Sequence, residues 1–418
     1  MSATPVATDL HTFAFWGQPR EQREAAFRWL RENDPVSWHP PAESLLMPPD
    51  ENSPGFWAIT KHAHIQEISR NPKVFSSASG IFLEDLPPEA GDVFSFIHLD
   101  APAHTQLRGI VQSAFSPRNM RKMNDWLHEH ARAVVAEMAP KGQGDLVEDL
   151  AKPLPGRVYA HYIGVEDDAV RERVTRAALQ VVAWNEEEHL ETMTPLEVIG
   201  SAAQELSAVA LELAEHRRVT PGDDMLTWLV QAQFEGRRMT DDEIARFFTL
   251  LAGAVNDTTG HTIGNAFILL ERHPDQKALL LEDFDNRIEG AVEEILRYRP
   301  PIVHFRRTAL EDYELAGKRI EKGDKVILWY LSGSRDEDVF EDPDRFDITR
   351  TNNTRHQAFG GGGPHFCIGA ELGRRLVREA IREVYTQMPD VEIGEPTYAM
   401  SNFLNNVKSL PASWTPTG

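Results

Sequence analysis

The sequence predicts a mainly α-helical fold with a small β region, arranged as one large domain. Three observations carry this. Apolar residues recur at helical spacing in one segment after another, strand-like runs are few and short, and no repeat period, low-complexity block or long linker divides the 418 residues. At 41% hydrophobic and 26% charged, the composition suits a globular chain able to bury a large core. Residues 1–20 read as an N-terminal extension and residues 21–418 as the domain.

In chain order, residues 55–60 read as a short strand. Residues 100–108 (Asp100-Ala101-Pro102-Ala103-His104-Thr105-Gln106-Leu107-Arg108) open a helix, with Pro102 suited to a first turn and with His104 and Arg108 four apart on one face. Residues 123–138 place Met123, Trp126, Leu127, Ala131, Val134, Val135 and Met138 on one helical face. Residues 240–272 form the most informative helix. It opens on the capping box Thr240-Asp241-Asp242-Glu243, stops before Pro274, and would span roughly 48 Å at 1.5 Å per residue. Its residues 247–255 and 263–270 are apolar on almost every face, so it runs through a core. Its middle, Asn256-Asp257-Thr258-Thr259, is polar, and burying those groups is costly unless they are paired. Two readings stand, a functional site or a locally satisfied kink. Further on, residues 313–315 pair through Gly317 with a strand over 325–330.

The charge balance is acidic, with 43 basic against 65 acidic residues and a net charge of −22, which repels nucleic acid and anionic membrane surfaces. No apolar stretch reaches eighteen residues and the N-terminus lacks a signal-peptide pattern, so the plain expectation is a cytoplasmic protein with no membrane anchor. The single cysteine excludes an internal disulfide and any multi-cysteine metal site, leaving a buried thiol, a nucleophile or a ligand.

That cysteine lies in Phe359-Gly360-Gly361-Gly362-Gly363-Pro364-His365-Phe366-Cys367-Ile368-Gly369. Four glycines let the backbone pass close to a flat ligand. A helical pattern follows, with Leu372, Leu376, Val377, Ala380 and Ile381 on one face, so the thiol would sit at a helix start that favours the thiolate. A thiolate bound to haem iron promotes O–O cleavage, and haem suits this loop best. Zinc would need three or four ligands, and only His365 is near. A phosphate loop would want Lys-Ser/Thr after the glycines. A cysteine nucleophile stays open, although no base is close in sequence.

The loop resembles the haem-binding signature of the cytochrome P450 family, Phe-Gly-x-Gly-x-His/Arg-x-Cys-x-Gly. His365, Gly363, Gly361 and Gly369 are in register with Cys367, while Phe359 lies one place further upstream. Glu294-Ile295-Leu296-Arg297 is similar to the family's Glu-x-x-Arg helix. The resemblance implies a structural network of Glu294, Arg297 and Arg345, the last in Phe340-Glu341-Asp342-Pro343-Asp344-Arg345-Phe346. It also implies that His104, Arg108, Arg307 and His365 hold the haem propionates, which need cationic or N–H donors. Ala254-Val255-Asn256-Asp257-Thr258-Thr259 is similar to the family's Ala-Gly-x-Asp/Glu-Thr segment, with Val255 where glycine is usual. Activating dioxygen requires protons at its outer oxygen; by resemblance, Thr258 would hold the relay water and Asp257 would feed protons from outside.

The resemblance covers the chain from about residue 20 onward and implies a single domain enclosing haem b, iron protoporphyrin IX. It implies a monooxygenase that takes electrons from NAD(P)H through ferredoxin reductase and ferredoxin, and inserts one atom of O2 into a C–H bond. The hairpin-like residues 401–409 are similar to those of soluble bacterial members acting on lipids, isoprenoids and sterols. The expected substrate is accordingly hydrophobic: a branched fatty acid, terpenoid or steroid. Its pocket would be lined by Ile81, Phe82, Phe94, Phe96, Ala254, Val303, Phe305, Phe403 and Leu404, each of which also suits an ordinary core. Residues 81–96, with Pro87, Pro88 and Gly91, read as a mobile gate. An acidic ferredoxin would need cations, for which Arg374, Arg375, Arg378 and Arg382 are candidates, with Arg118, Arg121 and Lys122. A haem-thiolate enzyme using peroxide or catalysing a non-oxygenating rearrangement is the alternative within the class. A haem-based sensor or binding protein is the alternative outside it, although no output domain is found.

Overall fold

A computed structural model of the chain describes residues 7–86, 92–112, 114–182 and 192–417. Helices dominate and the sheets are small, as the periodicity predicts. The chain divides into two units. The first comprises Met1–Leu86, Arg272–Cys367 and Tyr398–Asn406, and the second Pro87–Glu271, Ile368–Thr397 and Val407–Gly418. No helix among the described residues is long and apolar enough to cross a membrane.

The first unit is organised by a five-stranded sheet in the order Val36–His39, Phe56–Ile59, Lys325–Trp329, His304–Ala309, Phe75–Ser76. Phe56–Ile59 is the strand expected at residues 55–60, and it runs parallel to Lys325–Trp329. Every residue of Lys325–Trp329 is buried because both faces of the sheet are covered. Strand alternation sends Ile327 and Trp329 into a core with Phe15, Trp16, Phe27 and Val303, while Val326 and Leu328 pack with Ile59, Ile65, Phe75 and Tyr330. One pairing differs from the sequence reading. Tyr313–Leu315 pairs with Lys318–Ile320, across Ala316 and Gly317 at φ of 52° and 75°, and Lys325–Trp329 joins the main sheet instead. Two consecutive left-handed residues make a two-residue hairpin turn, so the chain reverses at once.

The second unit is mostly helical, with one three-stranded sheet formed by Gln143–Asp145, Pro411–Ser413 and Glu392–Ile393. In the helix Pro117–Met138, Met123, Leu127, Ala131, Val134, Val135 and Met138 are buried, as their spacing predicts. This helix packs against Ala370–Gln387, whose Leu372, Leu376, Val377, Ala380 and Ile381 are buried in turn. The long helix spans Asp241–Arg272. Its capping box is formed: the Glu243 N–H donates to Thr240 Oγ1 at 3.2 Å, and the Thr240 N–H donates to Glu243 Oε2 at 2.9 Å.

Candidate active site

The loop carrying Cys367 is built within the first unit. Gly360, Gly362 and Gly363 sit at φ of 99°, 90° and 76°, where side chains are rarely accommodated. Gly361 and Gly363 also lie close to a protein neighbour. A Cβ on Gly361 would lie 2.4 Å from Ser69 Oγ, and one on Gly363 would lie 2.1 Å from the Ser69 carbonyl oxygen. The loop therefore lies hard against the helix His62–Ser69. Gln357 anchors its start: its carbonyl accepts the Gly360 N–H at 2.9 Å, its Nε2 donates to the His62 carbonyl at 3.0 Å and its N–H donates to Ser334 Oγ at 3.0 Å. The His356 ring accepts the Ala358 N–H at Nδ1, 3.1 Å, which leaves Nε2–H to donate to buried Glu293 at 2.8 Å. The half-buried Phe359 closes the loop: its carbonyl accepts the Cys367 N–H at 3.0 Å, and its ring lies 6.4 Å edge-on from Phe366. The additional glycine is thus absorbed in the turn. Cys367 is exposed, and the next helix begins at Ala370 with Gly369 as its N-cap. The cysteine precedes the cap by two residues rather than lying in the first turn. A Cβ on Gly369 would meet nothing within 4 Å. His365 is half-buried, with Nε2 at 3.3 Å from Ser77 Oγ, and Arg307 is buried, donating to the Arg306 carbonyl at 2.7 Å.

The structure brings Phe82, Phe305 and Phe403 together as a half-buried aromatic group in the same unit. Phe82 lies 4.8 Å edge-on from Phe403, and Phe305 lies 5.6 Å from it. Residues 401–406 run beside 300–303, with the Val303 N–H donating to the Phe403 carbonyl at 2.9 Å and Ile302 bridging Leu404. Ile81, Val303 and Leu404 are buried, and Val303 is packed into the Trp329 core. The described start of the expected gate is strapped to the strand His304–Ala309. The Arg306 N–H donates to the Ile81 carbonyl at 2.8 Å, and Arg306 and Lys325 both pair with Asp85. Asn402 Nδ2 donates to Glu84 Oε1 at 2.6 Å. Pro87, Pro88, Gly91 and the Phe94 side chain lie outside the described residues.

The sequence reading passed over the residue that ties these pieces together, His304. Its fully buried ring donates from Nδ1 to the Asn402 carbonyl at 3.1 Å and accepts the Leu83 N–H at Nε2, 3.0 Å, so it is neutral. A histidine amid the apolar residues 302–305 was the available signal. Burial pushes its pKa from 6.5 down to about 3, against the opposing pull of the Asn402 carbonyl. The unfolded chain takes up a proton near 6.5 and the folded ring does not. The stability His304 contributes is therefore full above pH 6.5 and lost as the pH falls towards 3, at up to about 1.4 kcal/mol per pH unit. Urea unfolding of wild type should weaken steadily from pH 6.5 to pH 4, and less steeply for His304→Gln; equal slopes would refute this role.

Glu294 and Arg297 form the expected pair in the first unit, both fully buried, with Nε and Nη2 donating to the two carboxylate oxygens at 2.7 Å each. The third member differs from expectation. The Arg345 side chain is exposed and only its carbonyl joins, accepting from Arg297 at 3.2 Å. The cation facing Glu294 is Arg350, at 3.5 Å with its side chain buried. A turn at residues 342–347, in which the Arg345 N–H bonds to the Asp342 carbonyl, points the Arg345 side chain outward.

In the second unit the long helix carries the polar segment. Ala254 is exposed, Asp257 and Thr258 are half-buried, and Val255 and Asn256 are buried. Thr258 Oγ1 donates to the Ala254 carbonyl at 2.7 Å, Asn256 Nδ2 to the Ala252 carbonyl at 2.7 Å, and Thr262 Oγ1 to the Thr258 carbonyl at 2.7 Å. The Thr258 and Thr262 hydroxyls and Asn256 Nδ2 thus bond locally, while Asn256 Oδ1 is buried with no partner among the described residues, and Ala254 and Thr258, one turn apart, share an accessible face. His104 is buried beside Phe96, which stacks 6.0 Å from Phe247; Arg108 is half-buried in the last turn of Ala103–Val111. On Ala370–Gln387, Arg375 pairs with Glu371 at 2.7 Å and Arg378 with Glu379 at 3.0 Å, while Lys122 pairs with Asp223 at 2.6 Å. The side chains of Arg118 and Arg121 lie outside the described residues.

A sole, exposed thiol on a glycine loop, with buried Arg307 and the His365 ring in the same unit, is a donor set suited to a haem-thiolate centre: a sulfur for the iron, and a guanidinium and an imidazole for carboxylates. Comparison with known proteins agrees. A model of the cytochrome P450 family matches residues 196–380. The chain is 38% identical, over 98% of its length and 96% of the relative's, to a methyl-branched lipid omega-hydroxylase of Mycobacterium tuberculosis. It is 35% identical, over 93% of its length and 90% of the relative's, to a steroid C26-monooxygenase of Mycolicibacterium smegmatis. Among solved structures, a Mycobacterium marinum cytochrome P450 in complex with pseudoionone is 43% identical and superposes with a TM-score of 0.92, covering 99% of this chain and all of that one. The chain belongs to the cytochrome P450 family. It is a monooxygenase whose cofactor is haem b.

Proposed function

We propose that the enzyme hydroxylates a hydrophobic, branched substrate of the fatty acid, terpenoid or steroid class at a C–H bond. The observation that carries this is the near full-length likeness to two relatives named for oxidising a methyl-branched lipid and a steroid. The grouped rings of Phe82, Phe305 and Phe403 supply the apolar, aromatic lining such a chain would meet.

Bound haem supplies the iron at which dioxygen is activated. Cys367 Sγ would hold that iron as a thiolate, presented by the loop that Phe359, Gly361 and Gly369 shape. By the family resemblance, His104, Arg108, Arg307 and His365 would hold the haem propionates. Thr258 Oγ1, fixed by its bond to the Ala254 carbonyl at 2.7 Å, retains acceptor capacity for a water, and the Asp257 carboxyl passes protons to that water. Two electrons and two protons are consumed, one oxygen atom enters the C–H bond and the other leaves as water. NAD(P)H provides the electrons through ferredoxin reductase and ferredoxin. The glutamate pairing of Arg375 and Arg378 leaves a docking partner only the residual positive charge of that helix.

The test is NADH-driven turnover of the holoenzyme with a surrogate ferredoxin and reductase on a methyl-branched fatty acid and on a sterol. A hydroxylated product dependent on dioxygen is expected, and Asp257→Asn should slow it by about 10²-fold while leaving the substrate-binding spectrum unchanged. Product formed only with added peroxide would overturn the monooxygenase route.

A further inference from the structure

The first unit contains a polar cleft, and no residue of the Cys367 loop lines it. Trp16, Arg20, Arg23, Glu24, Tyr298 and Arg335 are prominent in its wall, and its space, open mouth included, is about 340 Å³. In a chain of net charge −22, three guanidinium groups and one carboxylate, Glu24, line this wall, and Asp344 also pairs with Arg335.

Two of the three are fixed. Arg20 donates to Glu24 at 2.5 Å and to the Tyr298 carbonyl at 2.6 Å. Arg335, almost wholly buried, lies 4.0 Å over the Tyr298 ring, donates to the same carbonyl at 3.0 Å, and pairs with Asp344 at 2.7 Å and Glu24 at 3.1 Å. Arg23 is different. It lies 5.8 Å over the Trp16 ring, and its Nε is buried with no acceptor among the described residues. Burial, and then the neighbouring Arg20 charge, push the Arg23 pKa down, and burial does the same to Arg335, to about 10. In both, burial is the largest cause, and the Arg20 charge acts in the same direction against the pull of Glu24. A buried donor left without an acceptor is costly, and guanidinium groups are matched in shape to the oxygens of a carboxylate or phosphate.

We propose that this cleft binds a small oxyanion, a phosphate or carboxylate group, gripped by Arg23 with Arg20 and Arg335. The ligand need not be large: the cleft takes an anionic headgroup, and whatever is attached to it leaves through the open mouth. Glu24 sets the affinity, because its carboxylate competes with the ligand for Arg20 and Arg335.

Thermal unfolding of the holoenzyme in inorganic phosphate or in acetate, at constant ionic strength made up with chloride, tests this. A ligand that binds only the folded protein raises the unfolding temperature in a saturable way. We expect such a rise in wild type, and the anion that produces it at lower concentration identifies the headgroup. Arg23→Met should weaken the apparent affinity at least tenfold, and Glu24→Gln should tighten it several-fold. No saturable rise with either anion in wild type, or equal affinity in wild type and Arg23→Met, would overturn the proposal. Should Arg23→Met fail to fold, an unchanged anion affinity in Glu24→Gln overturns it equally.

Discussion

Replacing Cys367 by serine is expected to abolish the strongly red-shifted Soret band of the reduced, carbon-monoxide-bound protein, and to lower turnover by 10³-fold or more, on the order of 4 kcal/mol of transition-state stabilisation. A thiolate pushes electron density towards the iron, whereas a serine hydroxyl is neutral at the same pH and does not. The substitution keeps the backbone and side-chain bonds that hold the loop. The loop is held by the Cys367 N–H on the Phe359 carbonyl, by Gln357 on His62 and Ser334, and by the buried His356–Glu293 pair, all of which a serine leaves in place. Since the residue is exposed, the unfolding free energy of the haem-free chain should change by no more than about 0.5 kcal/mol. The same reduced spectrum from both proteins would remove Cys367 as the ligand.

What could be read from the sequence was whatever periodicity or a contiguous motif encodes. The apolar faces of Pro117–Met138 and Ala370–Gln387, the capping box of the long helix and the ring of glycines before Cys367 were all legible. Contacts set by a neighbour distant in sequence were not. The glycines signalled close approach, but only the fold shows that Gly361 and Gly363 are pressed on Ser69. The motif around Arg345 suggested a third cation, yet which arginine turns inward depends on the turn at residues 342–347, and Arg350 does so. The proline-containing segment before Phe96 looked free, and its described start is tied down by His304, Arg306 and Lys325, which lie more than two hundred residues away in sequence. Val255 departs from the usual glycine, and it is buried while its neighbour Ala254 is exposed.

The second large effect concerns a fully buried ion pair. Glu294→Gln is expected to destabilise the holoenzyme by about 3–5 kcal/mol in urea unfolding, because it leaves a fully buried guanidinium without its countercharge. Arg297 makes five hydrogen bonds, two to Glu294 and one each to the carbonyls of Ser334, Pro343 and Arg345, so it stitches the Phe284–Tyr298 helix to the segments that lead to the cysteine loop. Glu294 also accepts the Asp347 N–H at 2.9 Å, and an amide oxygen can keep that bond but not the charge. Removing both partners together should cost less than the sum of the single changes, since each single variant strands the other's charge. Position matters more than motif here. Arg345→Ala, at an exposed side chain, should shift stability by no more than about 0.5 kcal/mol, and Arg350→Ala should cost clearly more. A Glu294→Gln protein within 0.5 kcal/mol of wild type, or an Arg345→Ala protein less stable than Arg350→Ala, would show that the pair is not what holds this part of the first unit together.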